Sequence, residues 1–254
     1  MTISKKVIWI TGASSGIGRA LALRLAEEGH DIAVSARREE ELLHVMEEAS
    51  SMAGKIIPFT LDVVDAKANQ NVAAAIENKL GPIDIAIFGA GYHEEVRLEN
   101  FKLDTFHRLM DINFFGVVNG VNAVLPSFKR RSAGHIAIIS SVAGYRGLPV
   151  ASAYGATKAA LINFAESINF DARHMGIKVQ IINPGFVKTP LTDKNRFPMP
   201  FLIPAEEAAN KIAKGLRRNK FEIAFPWMFV SILKILKQLP DSWYFRLVAK
   251  ATGK

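Results

Sequence analysis

A glycine turn set between an apolar strand and a helix constrains this chain more than any other feature. Lys5 to Thr11 is a short β-branched, apolar run, consistent with a buried strand. It leads directly into Thr11-Gly12-Ala13-Ser14-Ser15-Gly16-Ile17-Gly18. Ala20 to Glu28 then reads as a helix with Leu21 and Leu25 on its inner side. Strand, glycine turn and helix together form the context that a dinucleotide site requires. Glycines let the backbone approach a pyrophosphate, and the helix N-terminus offers it unpaired N–H groups. An ordinary βα turn is the plainer alternative, and three glycines at this spacing argue against it.

The rest of the chain keeps the same rhythm. Asp31–Ser35, Lys55–Leu61 and Ile83–Phe88 read as strands, and the stretches 39–53 and 66–80 between them as helices. Strands that alternate with helical patterns predict an α/β, Rossmann-like doubly wound parallel sheet with helices on both faces. Ligands of such sheets bind beyond the carboxyl ends of the strands. Gly12–Gly18, Arg37, Asp62-Val63 and Gly89-Ala90-Gly91 all fall at those ends. After the second strand, Ala36-Arg37-Arg38 stands where a carboxylate would select NAD. Guanidinium forks suit phosphate, so Arg37 and Arg38 favour NADP over the alternative of two solvated arginines.

Further on, 103–129 reads as one long helix that contains Asn113, Gly116 and Gly120. Asparagine is a weak helix former, so Asn113 marks either a distortion used in a site or an exposed position. The Gly116/Gly120 pair reads as close helix packing. Gly134–Ile139 reads as a strand that ends in Ser140-Ser141, and Ile177–Ile182 as one that ends in Asn183-Pro184-Gly185. Between them, 152–174 reads as a helix with Tyr154 and Lys158 four residues apart on one face. An ammonium beside a phenol favours the phenolate and lowers the phenol pKa, which suits a proton donor or acceptor. Phe186 to Pro204 breaks the pattern with four prolines and reads as a long irregular substrate loop.

Composition narrows the choice of partners. The chain has no cysteine, which excludes disulfides and thiolate chemistry and fits a reducing, cytoplasmic compartment. His93, His107 and His135 lack a metal-binding spacing, so no metal is expected. The first apolar run is too short for a signal-peptide core. No stretch reaches ~18 apolar residues, so no spanning helix is expected. Of the net charge of +8, +6 lies in residues 205–254, with no nucleic-acid motif to accompany it. Nucleic acid is therefore not expected as a partner, and an anionic membrane surface is the better reading of that charge.

Taken together, these residues resemble the short-chain dehydrogenase/reductase family over about residues 5–225. The glycine pattern matches at Thr11–Gly18, and Tyr154 and Lys158 match the catalytic pair. Asn113 matches the active-site asparagine. Ser141, thirteen residues before the tyrosine, matches the serine, with Ser140 as the neighbour to exclude. Pro184-Gly185-x-Val187-x-Thr189 matches the segment that holds the nicotinamide. One departure is Phe88-Gly89-Ala90-Gly91, where the family usually has two asparagines before Ala-Gly.

The resemblance implies hydride transfer with NADP between a carbonyl and an alcohol. Tyr154 would be general acid/base, Ser141 the partner of the substrate oxygen, and Lys158 the group that lowers the Tyr154 pKa and holds the ribose. Asn113 would anchor a proton path to Lys158. A homodimer or homotetramer is also implied. Residues 1–225 are expected to form one catalytic domain that includes loop 186–204, and 226–254 an amphipathic helical extension. In that extension Phe229, Ile232, Leu233 and Leu236 form an apolar face, and Arg246, Lys250 and Lys254 form a basic stripe. The apolar faces of the tail are expected to pack over a lipophilic substrate cleft or a second subunit, or else to touch an anionic membrane without spanning it. The competing readings are a non-catalytic dinucleotide-binding regulator and a membrane-surface protein on the same fold.

Overall fold

The computed structural model describes residues 4–193 and 197–253. In chain order the first half comprises β1 (Val7–Thr11), α1 (Gly16–Glu27), β2 (Asp31–Ala36), α2 (Glu39–Glu48), β3 (Lys55–Thr60), α3 (Ala66–Leu80) and β4 (Ile85–Phe88). The second half comprises α4 (Leu103–Met110), a π-helical turn over Asp111–Phe115, α5 (Gly116–Arg131), β5 (Gly134–Ile139), α6 (Ser152–His174), β6 (Ile177–Pro184), α7 (Ala205–Leu216), β7 (Glu222–Phe225), α8 (Trp227–Gln238) and α9 (Asp241–Thr252).

The seven strands form one parallel sheet in the order β3-β2-β1-β4-β5-β6-β7. The order reverses at β1, which pairs with both β2 and β4 and so opens a crevice at the strand ends. Side chains alternate across the sheet. Ile8 and Ile10 face the cluster beneath α1, α2 and α7, with Leu21, Leu42 and Ile212. Trp9, between them, faces the opposite cluster with Phe88, Ile76, Phe128 and Leu161 from β4, α3, α5 and α6. Apolar burial on both faces explains why the strands read as near-continuous hydrophobic runs.

The sequence pattern did not reveal α7 and β7. The strand has four residues at the sheet edge, too few for a visible period. The long helix of 103–131 is a single run with the π turn inserted, and Asn113 at its centre is fully buried. Of the two readings of Asn113, the distortion is therefore the one found. Gly116 and Gly120 serve packing: a Cβ on Gly120 would meet the Phe88 ring at 2.3 Å. By length and composition, Leu103–Arg131 could cross a membrane, contrary to expectation. In this fold, however, Val117, Val121, Val124 and Phe128 pack it into the core.

Loop 186–204 is less irregular than expected. Val187 and Ile203 form a parallel bridge, with Lys188 N donating to Ile203 O at 2.9 Å, so the loop is pinched at its base. In the tail, Val230 packs with Val142 and Tyr145, with Phe229 and Leu233 against them, whereas Ile232 is 46 % exposed. Lys254 lies outside the described residues.

Candidate active site

Every cofactor contact expected from the sequence lines one cavity of about 410 Å³ at the carboxyl ends of the strands. From β1 come Gly12, Ser14, Ser15, Gly16, Ile17 and Gly18, and from β2 Arg37 and Arg38. β3 contributes Asp62 and Val63, and β4 Gly89, Ala90 and Gly91. Ser141 follows β5, Tyr154 and Lys158 project from α6, and Pro184, Gly185, Val187 and Thr189 follow β6. Asn113 does not line the cavity.

The glycine turn is shaped by contact as well as by conformation. Gly12 sits at φ +72°, and a Cβ there would meet Ala90 Cα at 2.6 Å. On Gly18 a Cβ would meet Gly12 O at 2.4 Å. Thr11 joins the two turns, its hydroxyl accepting from Gly89 N at 3.2 Å and Ala90 N at 3.4 Å. At the start of α1, Ser15 makes no side-chain cap and the first turn carries no acid. The helix N-terminus thus keeps unpaired N–H groups and a positive dipole end, which fits a pyrophosphate. Beside it, Arg38 donates to Ser14 Oγ at 3.4 Å and pairs with Glu41. Arg37 is exposed, with no ion pair among the described residues. No carboxylate ends β2.

Ser140 and Ser141 separate cleanly. The Ser140 hydroxyl is buried and donates to Lys158 O at 2.8 Å. That of Ser141 lines the cavity, accepts from Ala143 N at 3.1 Å and hydrogen-bonds the Tyr154 phenol. On α6, Lys158 Nζ donates to Ile139 O at 3.0 Å and lies 5.5 Å from the Tyr154 ring centroid. Lys158 is 4 % exposed, and burial lowers its pKa to about 8.

For Tyr154 the sequence reading had the sign reversed. Burial pushes its pKa up to about 12, with the Ser141 hydrogen bond acting weakly in the other direction. The Lys158 ammonium donates to the Ile139 carbonyl and lies over the Tyr154 ring at 5.5 Å from its centroid, and it does not offset the burial. The phenol is therefore neutral across the physiological range and loaded as a donor.

Asn113 acts behind the cavity. Its Oδ1 accepts from Tyr92 N at 2.7 Å, and its Nδ2 donates to Tyr92 O at 2.9 Å and Thr157 Oγ1 at 3.0 Å. Thr157 in turn donates to Tyr154 O at 2.7 Å. Asn113 thus ties the turn after β4 to the helix that carries Tyr154, and the π turn is what brings its amide there. Gly91 lies beside both groups: a Cβ there would be in van der Waals contact with Asn113 Oδ1 at 3.5 Å and Lys158 Nζ at 3.8 Å.

Three contributors escaped the sequence reading. The His93 ring meets Tyr154 edge-on at 4.8 Å, its Nδ1 is buried with no hydrogen-bond partner among the described residues, and burial lowers its pKa. Next to Ser141, Tyr145 donates to Glu222 on β7, and Asn183 Nδ2 donates to the same oxygen at 2.8 Å. Arg146 binds the Leu236, Lys237 and Leu239 carbonyls and Asp241, with its guanidinium 3.8 Å from the Tyr244 ring centroid. Nothing in local periodicity signals these long-range contacts.

Comparison with known proteins places the chain in a family. The family model for short chain dehydrogenase matches residues 6–199. An uncharacterized oxidoreductase of Myxococcus xanthus is 36% identical over 239 residues, covering 94% of each chain. An alcohol dehydrogenase from the archaeon Thermococcus sibiricus, solved with 5-hydroxy-NADP, superposes with a TM-score of 0.80 at 25% identity, over 87% of this chain and 96% of that one. A Burkholderia phymatum short chain dehydrogenase/reductase solved with NAD shares the fold, with a TM-score of 0.84 at 22% identity over 92% and 93% of the two chains. The chain belongs to the short-chain dehydrogenase/reductase family and is an oxidoreductase of that family.

Proposed function

We propose that this protein is an NADP(H)-dependent oxidoreductase that interconverts a lipophilic carbonyl compound and its alcohol, with Tyr154 as general acid/base. The observation that carries the reading is geometric: Ser141, Tyr154 and Lys158, the last two one turn apart on α6, line the same cavity as the glycine turns. Residues 1–225 are read as the catalytic domain and 226–254 as its helical extension.

The nicotinamide, when bound, supplies or accepts the hydride. Its pyrophosphate would rest on Gly12–Gly18, the 2′-phosphate between Arg37 and Arg38, and the adjoining parts on Asp62, Val63 and Gly89–Gly91. Lys158 would hold the ribose, and Pro184, Gly185, Val187 and Thr189 the nicotinamide end. In reduction, Ser141 donates a hydrogen bond to the substrate oxygen and Tyr154 passes its proton to that oxygen. Lys158 stabilises the phenolate left behind, and Asn113 holds α6 in place through Thr157. In oxidation the proton returns to Tyr154.

Support for a lipophilic substrate comes from the loop. Leu191 lines the cavity. Phe186 stacks on Phe229 at 5.5 Å, and Phe197 and Phe201 approach them at 5.9 Å each. The exposed Phe115 and Phe170 favour a homo-oligomer. The test is turnover of short- and long-chain ketones and aldehydes with NADPH and NADH. The reading predicts activity that rises with apolar chain length and is stronger with NADPH. No turnover of any carbonyl with either cofactor, by protein that binds NADPH, would overturn it.

A further inference from the structure

Helix α8 has two apolar sides, and only one of them is used. Phe229, Val230, Leu233 and Leu236 turn inward. Met228, Ile232 and Ile235, at i, i+4 and i+7, make an outward stripe exposed by 45, 46 and 66 %, and Trp227 beside them is 74 % exposed. Helix α9 repeats the arrangement: Tyr244 and Val248 are buried, while Trp243 and Phe245 are 63 and 64 % exposed and Leu247 lies between Arg246 and Lys250. Single exposed apolar residues are ordinary, but seven on two consecutive helices mark a surface that meets something.

Charge identifies what it meets. Lys237, Arg246 and Lys250 flank the stripes, whereas Lys234 is paired with Glu222, and the one acid of the two helices, Asp241, is already paired with Arg146. A second copy docked on this face by two-fold symmetry would bring cation against cation. An anionic bilayer complements both the charge and the two tryptophans, which prefer the headgroup boundary.

We infer that α8 and α9 dock this protein on the surface of an anionic membrane, with Trp227, Ile235 and Trp243 entering the headgroup boundary and Arg246 and Lys250 meeting lipid phosphates. The docking does not depend on the proposed catalytic reading.

The experiment is co-sedimentation of the full chain with phosphatidylcholine vesicles, with and without about one-quarter phosphatidylglycerol. Binding is expected only to the anionic vesicles and should weaken as salt is raised. Replacing Trp227, Ile235 and Trp243 by serine should reduce it at least ~10-fold, as should Arg246→Glu with Lys250→Glu. Melting temperature and turnover of a water-soluble aldehyde should hold in both variants, which separates failure of docking from failure of the catalytic reading. Failure of the intact protein to bind anionic vesicles would overturn the inference. So would binding that the substitutions leave unchanged, or a serine variant that loses an oligomer seen by size exclusion while the intact protein ignores lipid.

Discussion

The Ser140 hydroxyl donates to the Lys158 carbonyl at 2.8 Å, fixing the end of β5 to the helix that bears Tyr154. Because Ser140 is committed to this bond, Ser141 is the serine whose hydroxyl meets the phenol in the cavity. Two adjacent serines therefore have separable jobs. Ser140→Ala removes a buried hydrogen bond and should cost about 1–2 kcal/mol of stability, with most activity retained. Ser141→Ala removes the cap on Ala143 N and should cost about 0.5–1 kcal/mol of stability, but it should lower kcat by at least ~10-fold, because the substrate oxygen loses its donor. Melting curves and kinetics of the two variants side by side would expose a reversed assignment.

Lys158 makes the site costly to fold. Burial lowers its pKa from 10.5 to about 8, so the unfolded chain binds the proton more tightly than the folded one. Below pH 8 both states are charged and the full penalty applies, roughly 3 kcal/mol at ~1.4 kcal/mol per unit. It is relieved as the pH rises from about 8 towards 10.5. Lys158→Met should therefore raise the melting temperature by several degrees at neutral pH while removing activity. Thermal melts against pH should show the gap between variant and parent narrowing above pH 8. A variant less stable than the parent at neutral pH would contradict this reading.

Cofactor choice turns on the end of β2. With Ala36 where an acid would stand and Arg37 exposed beside it, NADPH should be preferred by at least ~1.4 kcal/mol, a tenfold ratio in kcat/KM. Ala36→Asp with Arg37→Gln should invert the ratio, since a carboxylate repels a 2′-phosphate and accepts from a 2′-hydroxyl. Equal use of both cofactors by the parent protein would refute the role given to the arginines.

Much of this was legible in the sequence, for physical reasons. A glycine turn is a backbone requirement, so Thr11–Gly18 announced itself locally, as did the alternation that put Arg37, Asp62, Gly89 and Ser141 at one edge of the sheet. Asn113 stood out as a poor helix former, and the π turn explains it. Other features depend on long-range packing and left no local trace. His93 has no metal-binding spacing to mark it in the sequence, yet its ring abuts Tyr154. The four-residue β7 carries Glu222, which receives Tyr145, Asn183 and Lys234 together. Burial pushes the Glu222 pKa up, but those three hydrogen bonds outweigh it and hold the group below its usual range. The upward shift of Tyr154 was missed because pair spacing reveals charge but not desolvation. In the tail, amphipathic spacing identified both helices but could not distinguish a buried Leu233 side from an exposed Ile232 side.

Arg146 is the clasp between the loop after Ser141 and the C-terminal helices. It satisfies three carbonyls at the end of α8, pairs with Asp241 and covers the Tyr244 ring. Arg146→Ala leaves those carbonyls uncapped and should cost about 1–3 kcal/mol. Limited proteolysis should then cut within 226–254 at least several-fold faster, with NADPH affinity unchanged. Unaltered cleavage would mean that the tail is held by its apolar contacts alone.

The central claim is that Tyr154 is the proton donor, and Tyr154→Phe tests it most directly. The substitution removes one hydroxyl and leaves the ring against His93. The measurement is kcat for NADPH-driven reduction of a carbonyl substrate, with NADPH affinity read in parallel by fluorescence titration. The account predicts a loss of at least ~10²-fold in kcat with affinity nearly unchanged. Turnover at the parent rate would contradict it.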